Sequence, residues 1–199
     1  PGTTHVTRHE RPGYGMGGAP RGEEPGPVRG CLACDLMTGD AVLPGGTVLR
    51  TGAWVVEHCV GPFGLGTVVV KPARHVLHVA ELTAGESAEL GPLLRRVSAA
   101  VTTVMDPEQV YVCLWSHVGG APGHIHFVVQ PVTREDMDRY DTFGPALQLA
   151  MGEAGELPPG PEVERVCDLL RDLLGPADGA GPSTAQAHGT TRRPGTTHP

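Results

Sequence analysis

The chain has 199 residues, 39% hydrophobic and 19% charged, with a formal net charge of −7. That length and apolar content suit one ordinary domain with a single core. The acidic balance argues against a nonspecific nucleic-acid binder, which needs a basic surface. No run of about 18 apolar residues is present to form a membrane span.

In chain order, residues 1–30 hold Gly13, Gly15, Gly17, Gly18, Pro20, Gly22, Pro25 and Pro27 without apolar periodicity. Such a segment buries too little apolar surface to offset the entropy of ordering it, so 1–30 is predicted as a disordered tail, and so is 176–199. The domain is expected over 31–150, with a linker and helix over 151–175. No charged-then-apolar leader opens the chain, so a cytoplasmic protein is expected. Thr47–Arg50 and Ala53–Val60 read as two short strands around a Thr51-Gly52 turn. A glycine-rich loop, Gly61–Gly66, leads into Thr67-Val68-Val69-Val70, a β-branched run of the kind found in buried strands. Lys71 and Arg74 flank its end; contact with phosphate is one reading, and a solvated role is the expectation.

Thr83-Ala84-Gly85-Glu86 is a capping box. The helix it opens repeats Leu90, Leu93, Leu94, Val97, Val101 and Val104 on one face, and Asp106-Pro107 stops it. Val110–Trp115 and His124–Val129 read as strands, the second closed by Pro131. Arg134–Arg139 reads as a solvated helical face. Glu162–Leu174 is a last amphipathic helix, ended by Gly175. Strands joined by short loops, with helices between and after them, imply an α+β fold around an antiparallel sheet.

Two groups of residues carry chemistry. Cys31-Leu32-Ala33-Cys34 in a chain with five cysteines points to metal or redox chemistry rather than a disulfide framework; a pair of reduced cysteines without metal is the alternative. Cys59, Cys113 and Cys167 sit in apolar patterns and read as buried bystanders. The second group is His124-Ile125-His126-Phe127-Val128-Val129-Gln130. On a strand, His124, His126, Val128 and Gln130 share one face, while Ile125, Phe127 and Val129 point to the other. Two imidazoles on one face beside a glycine-rich turn suit nucleophilic, acid–base or metal-ligand work.

These blocks, together with Gly66–His75 and the long helix, resemble the histidine-triad (HIT) family over about residues 31–131, in the family's order. The resemblance implies an antiparallel five-stranded sheet with a long helix packed on it and a C-terminal helix. It implies a structural zinc held by Cys31, Cys34, His75 and His124, with His78 as an alternative to His75. It makes His126 the nucleophile toward the α-phosphorus of a nucleotide conjugate, such as a dinucleoside polyphosphate or a nucleoside phosphoramidate. Gly119, Gly120, Gly123, His124 and Gln130 would bind the phosphate, and strand Trp54–Val60 with loop Pro62–Leu65 would line the base pocket. A nucleotide-type small molecule and a second copy of the chain are the expected partners, with no nucleic acid and no membrane.

The sequence also departs from the family pattern. Val128 stands at the third triad position, where the family places a phosphate-binding histidine and the related galactose-1-phosphate uridylyltransferases place glutamine. Gly120 and Ala121 stand where the family places glutamine and a hydroxyl residue. Cys59 stands near the position of the ribose-binding acid. A nucleotide-binding protein without turnover is therefore the alternative reading.

Overall fold

The computed structural model describes residues 26–175 apart from Trp115 and Gly119. The expected tails thus lie outside the described residues, save 26–30, which turn into the first helix. The elements run α1 (Leu32–Thr38), β1 (Thr47–Arg50), β2 (Trp54–His58), β3 (Val68–Pro72), α2 (Ala84–Met105), β4 (Gln109–Leu114), β5 (His117–Val118), β6 (Ala121–Pro122), β7 (Phe127–Val132), α3 (Arg134–Tyr140), α4 (Pro145–Ala154) and α5 (Gly160–Leu174). Five strands form one sheet in the order β1-β2-β3-β7-β4, and β5-β6 is a separate small hairpin. Every pairing in the large sheet is antiparallel. The fold class is α+β, as the sequence implied.

One face of the sheet carries the main core. Trp54 and Val56 of β2, Val68 and Val70 of β3, and Val129 of β7 point into it. They meet Leu93, Val97 and Val101 of α2 and Val163, Val166, Leu170 and Leu174 of α5. The capping box closes as the sequence predicts. Glu86 N donates to Thr83 Oγ1 at 3.2 Å, and Thr83 N donates to Glu86 Oε2 at 2.7 Å. Glu86 does more besides: Arg74 donates to both its carboxylate oxygens, at 2.7 and 2.8 Å, and Trp54 Nε1 donates to its carbonyl. The helix start is thereby pinned to the sheet.

β7 differs from expectation at both ends. It begins at Phe127, three residues later than the sequence suggests, and runs through Pro131 to Val132. Val132 O accepts from Glu108 N on the β4 side. Alternation aims the backbone of Pro131 toward β3, whose pairing has already ended at Val129. The missing proline N–H leaves no ladder bond unmade.

The second face is the one that matters for function. It carries Val55, Glu57, Val69, Lys71, Val128 and Gln130. At one end α4 packs on it, with Leu147 and Met151 against Val132. At the other lies α1, where Cys34 and Leu36 are buried and Ala33 O accepts a hydrogen bond from Lys71 Nζ at 2.8 Å.

Candidate metal centre and ligand cleft

The donor atoms of Cys31, Cys34, His75 and His124 all lie within 4.8 Å of one another. Cys31 and Cys34 stand one helical turn apart at the start of α1, and His75 follows β3. His124 precedes β7. Cys34 Sγ lies 3.4 Å from His75 Nδ1 and 3.6 Å from His124 Nδ1, and Cys31 Sγ lies 3.9 Å from His124 Nδ1. A tetrahedral zinc, with bonds of about 2.3 Å to sulfur and about 2.0–2.1 Å to nitrogen, spaces such ligands about 3.6 Å apart. The residues therefore fit zinc in geometry and in donor chemistry. His78, exposed at the start of a short 3₁₀ turn, stands outside the cluster.

The surroundings suit a metal ligand. His124 Nε2 lies 3.1 Å from Pro72 O, an acceptor only, so Nε2 carries the proton and Nδ1 keeps its lone pair for the metal. Burial, then the neighbouring His75, hold the His124 imidazole down to about 4, so the ring stays neutral. Burial pushes the Cys34 thiol up, and a thiolate there calls for a cation beside it.

The same logic sets His126. Its Nδ1 lies 3.1 Å from His124 O, which can only accept. Nδ1 is then the N–H, and Nε2 of the neutral ring keeps an unprotonated lone pair. His124 and His126 border one cleft of about 250 Å³, on the same side of the sheet. The cleft is also lined by Leu32 and Leu36 of α1, by Glu57 and Cys59, by Val69 and Lys71, and by His117 of the β5-β6 hairpin.

The floor of this cleft overturns the solvated reading of Lys71. Lys71 and Glu57 are each 1% exposed and form an ion pair across β2 and β3. Lys71 also holds Ala33 O, whereas Glu57 Oε2 is buried and accepts nothing from the described residues. Sequence reasoning missed both residues. The signal was there: a glutamate and a lysine are the only charges in two strands of otherwise apolar or buried-histidine character, both on the face opposite Trp54, Val56 and Val70. Arg74 is likewise engaged rather than solvated.

Three solved structures share this fold. One is a hypothetical histidine triad nucleotide-binding protein from Sulfolobus tokodaii, 18% identical, with a TM-score of 0.55 over 72% of this chain and 91% of that one. The second is a zinc-bound histidine triad family protein from Mycobacterium smegmatis, 18% identical, with a TM-score of 0.54 over 73% and 93%. The third, a HIT-like protein from Bartonella henselae involved in cell-cycle regulation, is 11% identical with a TM-score of 0.54 over 73% and 98%. The chain has the histidine-triad fold. No family profile and no curated relative matches its sequence.

Several residues expected to bind phosphate stand away from the cleft. Gly119 lies outside the described residues. Gly120 is an exposed turn residue at φ +84°. Gly123 N donates to Ser116 O, which uses its N–H within the backbone. Gln130 is fully buried beneath α4 rather than in the cleft. Its amide nitrogen lies 3.0 Å from Phe63 O and 3.3 Å from Met151 Sδ, and its oxygen accepts from Gln148 Nε2 at 2.9 Å. Of the other cysteines, Cys167 lies in the core as expected, whereas Cys59 borders the cleft and Cys113 contacts Gln148. Among the described residues no helix is long and apolar enough to cross a membrane.

Proposed function

We propose that this cleft holds the nucleoside monophosphate part of a nucleotide conjugate and that His126 attacks its α-phosphorus. The observation that carries the reading is the bond from His126 Nδ1 to His124 O, which leaves Nε2 as a free lone pair at the cleft. Nε2 would form a bond to phosphorus while the bond to the leaving group breaks, that group departing with the electron pair and taking up a proton. Water would then form the next bond to phosphorus as the P–N bond breaks, returning the imidazole and releasing a nucleoside monophosphate. Dinucleoside polyphosphates and nucleoside phosphoramidates have the required α-phosphorus and leaving group. The nucleotide-binding and zinc-bound proteins with this fold are consistent with that chemistry.

Zinc at Cys31, Cys34, His75 and His124 would be structural, because four protein ligands close a tetrahedral shell. It would crosslink α1 to the strand region that presents His126. A second copy of the chain would add along β4, an edge strand whose Val112 is exposed.

A second reading has its own support. Val128 is buried and apolar, Gln130 is committed to Met151 and Gln148 of α4, and Gly123 N–H is bonded. Fixed donors for the developing charge are thus fewer than the reaction favours, and each missing donor commonly costs about 10²–10³ in rate. On this reading the protein binds nucleotide without turnover. Incubation with adenosine phosphoramidate, followed by mass spectrometry of the denatured protein, separates the two. A nucleotidyl adduct that disappears in His126→Ala supports catalysis. Turnover that persists in His126→Ala would refute it, and tight binding with neither adduct nor turnover favours the second reading.

A further inference from the structure

We infer that Glu57 reads the edge of the bound base, so that the cleft selects nucleotides whose base offers an N–H donor. This rests on the nucleotide reading of the cleft. Glu57 lines the cleft, and its Oε2, buried, accepts no hydrogen bond from the described residues. Its partner oxygen is engaged by Lys71, which is itself anchored to Ala33 O, so the carboxylate is fixed in place. A rigid, water-poor acceptor without a donor is a strong discriminator, because a ligand that cannot donate leaves it unpaired.

The strand order gives the distance. β3 separates β2, which carries Glu57, from β7, which His126 precedes. Two strand spacings amount to about 10 Å. A nucleoside monophosphate lying across β3, phosphate toward His126 and base toward β2, bridges such a gap. Val69 beneath and Leu32 and Leu36 from α1 offer apolar surface to the faces of the base, which leaves its edge to Glu57. Adenine, guanine, hypoxanthine and cytosine each present an N–H there; unsubstituted purine does not.

The test compares adenosine 5′-monophosphate with purine riboside 5′-monophosphate, which differ only in the 6-amino group, by calorimetry on the full chain. The amine should tighten binding about ten- to a hundredfold, the range for a hydrogen bond to a charged group. Glu57→Gln keeps an oxygen for Lys71 and turns an N–H₂ toward the base, so the preference should vanish or reverse. Equal binding of the two ligands to the wild-type chain overturns the inference while leaving the nucleotide reading intact. Binding of neither overturns both. The wild-type comparison decides the matter even if the variant fails to fold.

Discussion

Replacing Lys71 with methionine keeps the aliphatic stem and deletes the charge. Glu57 would then face no cation: Lys71, diagonal to it on β3, is the one charge that offsets its burial. Burial already raises the Glu57 carboxyl above its ordinary value of 4.5, and Lys71 works against that rise. Without the ammonium, the carboxyl takes up a proton rather than stay charged in a buried site, and this bounds the cost. Because 4.5 lies two and a half pH units below 7, holding the group protonated at pH 7 costs about 3.4 kcal/mol, and at pH 5 about 0.7 kcal/mol. The lost bond from Lys71 to Ala33 O adds about 1–1.5 kcal/mol at either pH.

The sign follows from a folded-state pKa above the unfolded one: stability is retained below the unfolded value and lost as pH rises toward the folded value. Since the wild type already bears part of the protonation cost, Lys71→Met should lose at most about 4–5 kcal/mol at pH 7 and at most about 2 kcal/mol at pH 5. At about 2–4 °C per kcal/mol for a chain of this size, the melting temperature should fall by up to about 10–20 °C at pH 7 and by less at pH 5. Urea denaturation at the two pH values measures the difference directly. The double variant Glu57→Leu/Lys71→Met, with no buried charge, should recover most of the stability and lose the pH dependence. An equal loss at both pH values, or a larger one at pH 5, would refute the argument.

Other outcomes follow from the same geometry. Metal analysis of the purified chain should find zinc near one per molecule. Cys34→Ser should weaken metal binding by more than the 10–100-fold that an outer partner typically costs, with faster hydrogen exchange centred on α1 while α2 and α5 stay protected. The Arg74 guanidinium holds the Glu86 carboxyl down to about 2. The stability this contributes is present above about pH 4.5 and lost as pH falls toward 2. With Arg74 16% exposed, solvent screening reduces it to about 1–2 kcal/mol. Arg74→Gln should remove that acid-limb dependence, read as urea midpoints at pH 5 and pH 2.5; an unchanged acid limb would count against the pair.

Much of this was legible in the residues. The capping box at Thr83, the apolar face of α2 and the β-branched run of β3 each follow a local rule that tertiary packing happened to respect. The clustered donors Cys31, Cys34, His75 and His124 followed from the resemblance to the histidine-triad family; the residues by themselves offered only the Cys31/Cys34 pair and two same-face histidines. What escaped was decided by contacts distant in sequence. Lys71 looked solvated because a lysine at a strand end usually is, and only the carboxylate of Glu57, fourteen residues earlier, makes burial tolerable. Gln130 looked like a phosphate donor because it shares a face with the histidines. α4, inconspicuous as Pro145–Ala154 with little periodicity, covers that end of the face and engages the amide through Gln148. The small β5-β6 hairpin and its His117 at the cleft had no signal beyond a glycine pair.

His124 meets its neighbours in two ways: its ring lies beside the cysteine sulfurs, and its carbonyl receives the N–H of the His126 imidazole. Any slackening of the knuckle is therefore transmitted to residue 126 through one peptide unit. A variant at Cys34 would silence the proposed reaction without altering any residue that lines the cleft. Loss of turnover in such a variant says nothing about who performs the chemistry until the rotation of that one imidazole has been checked.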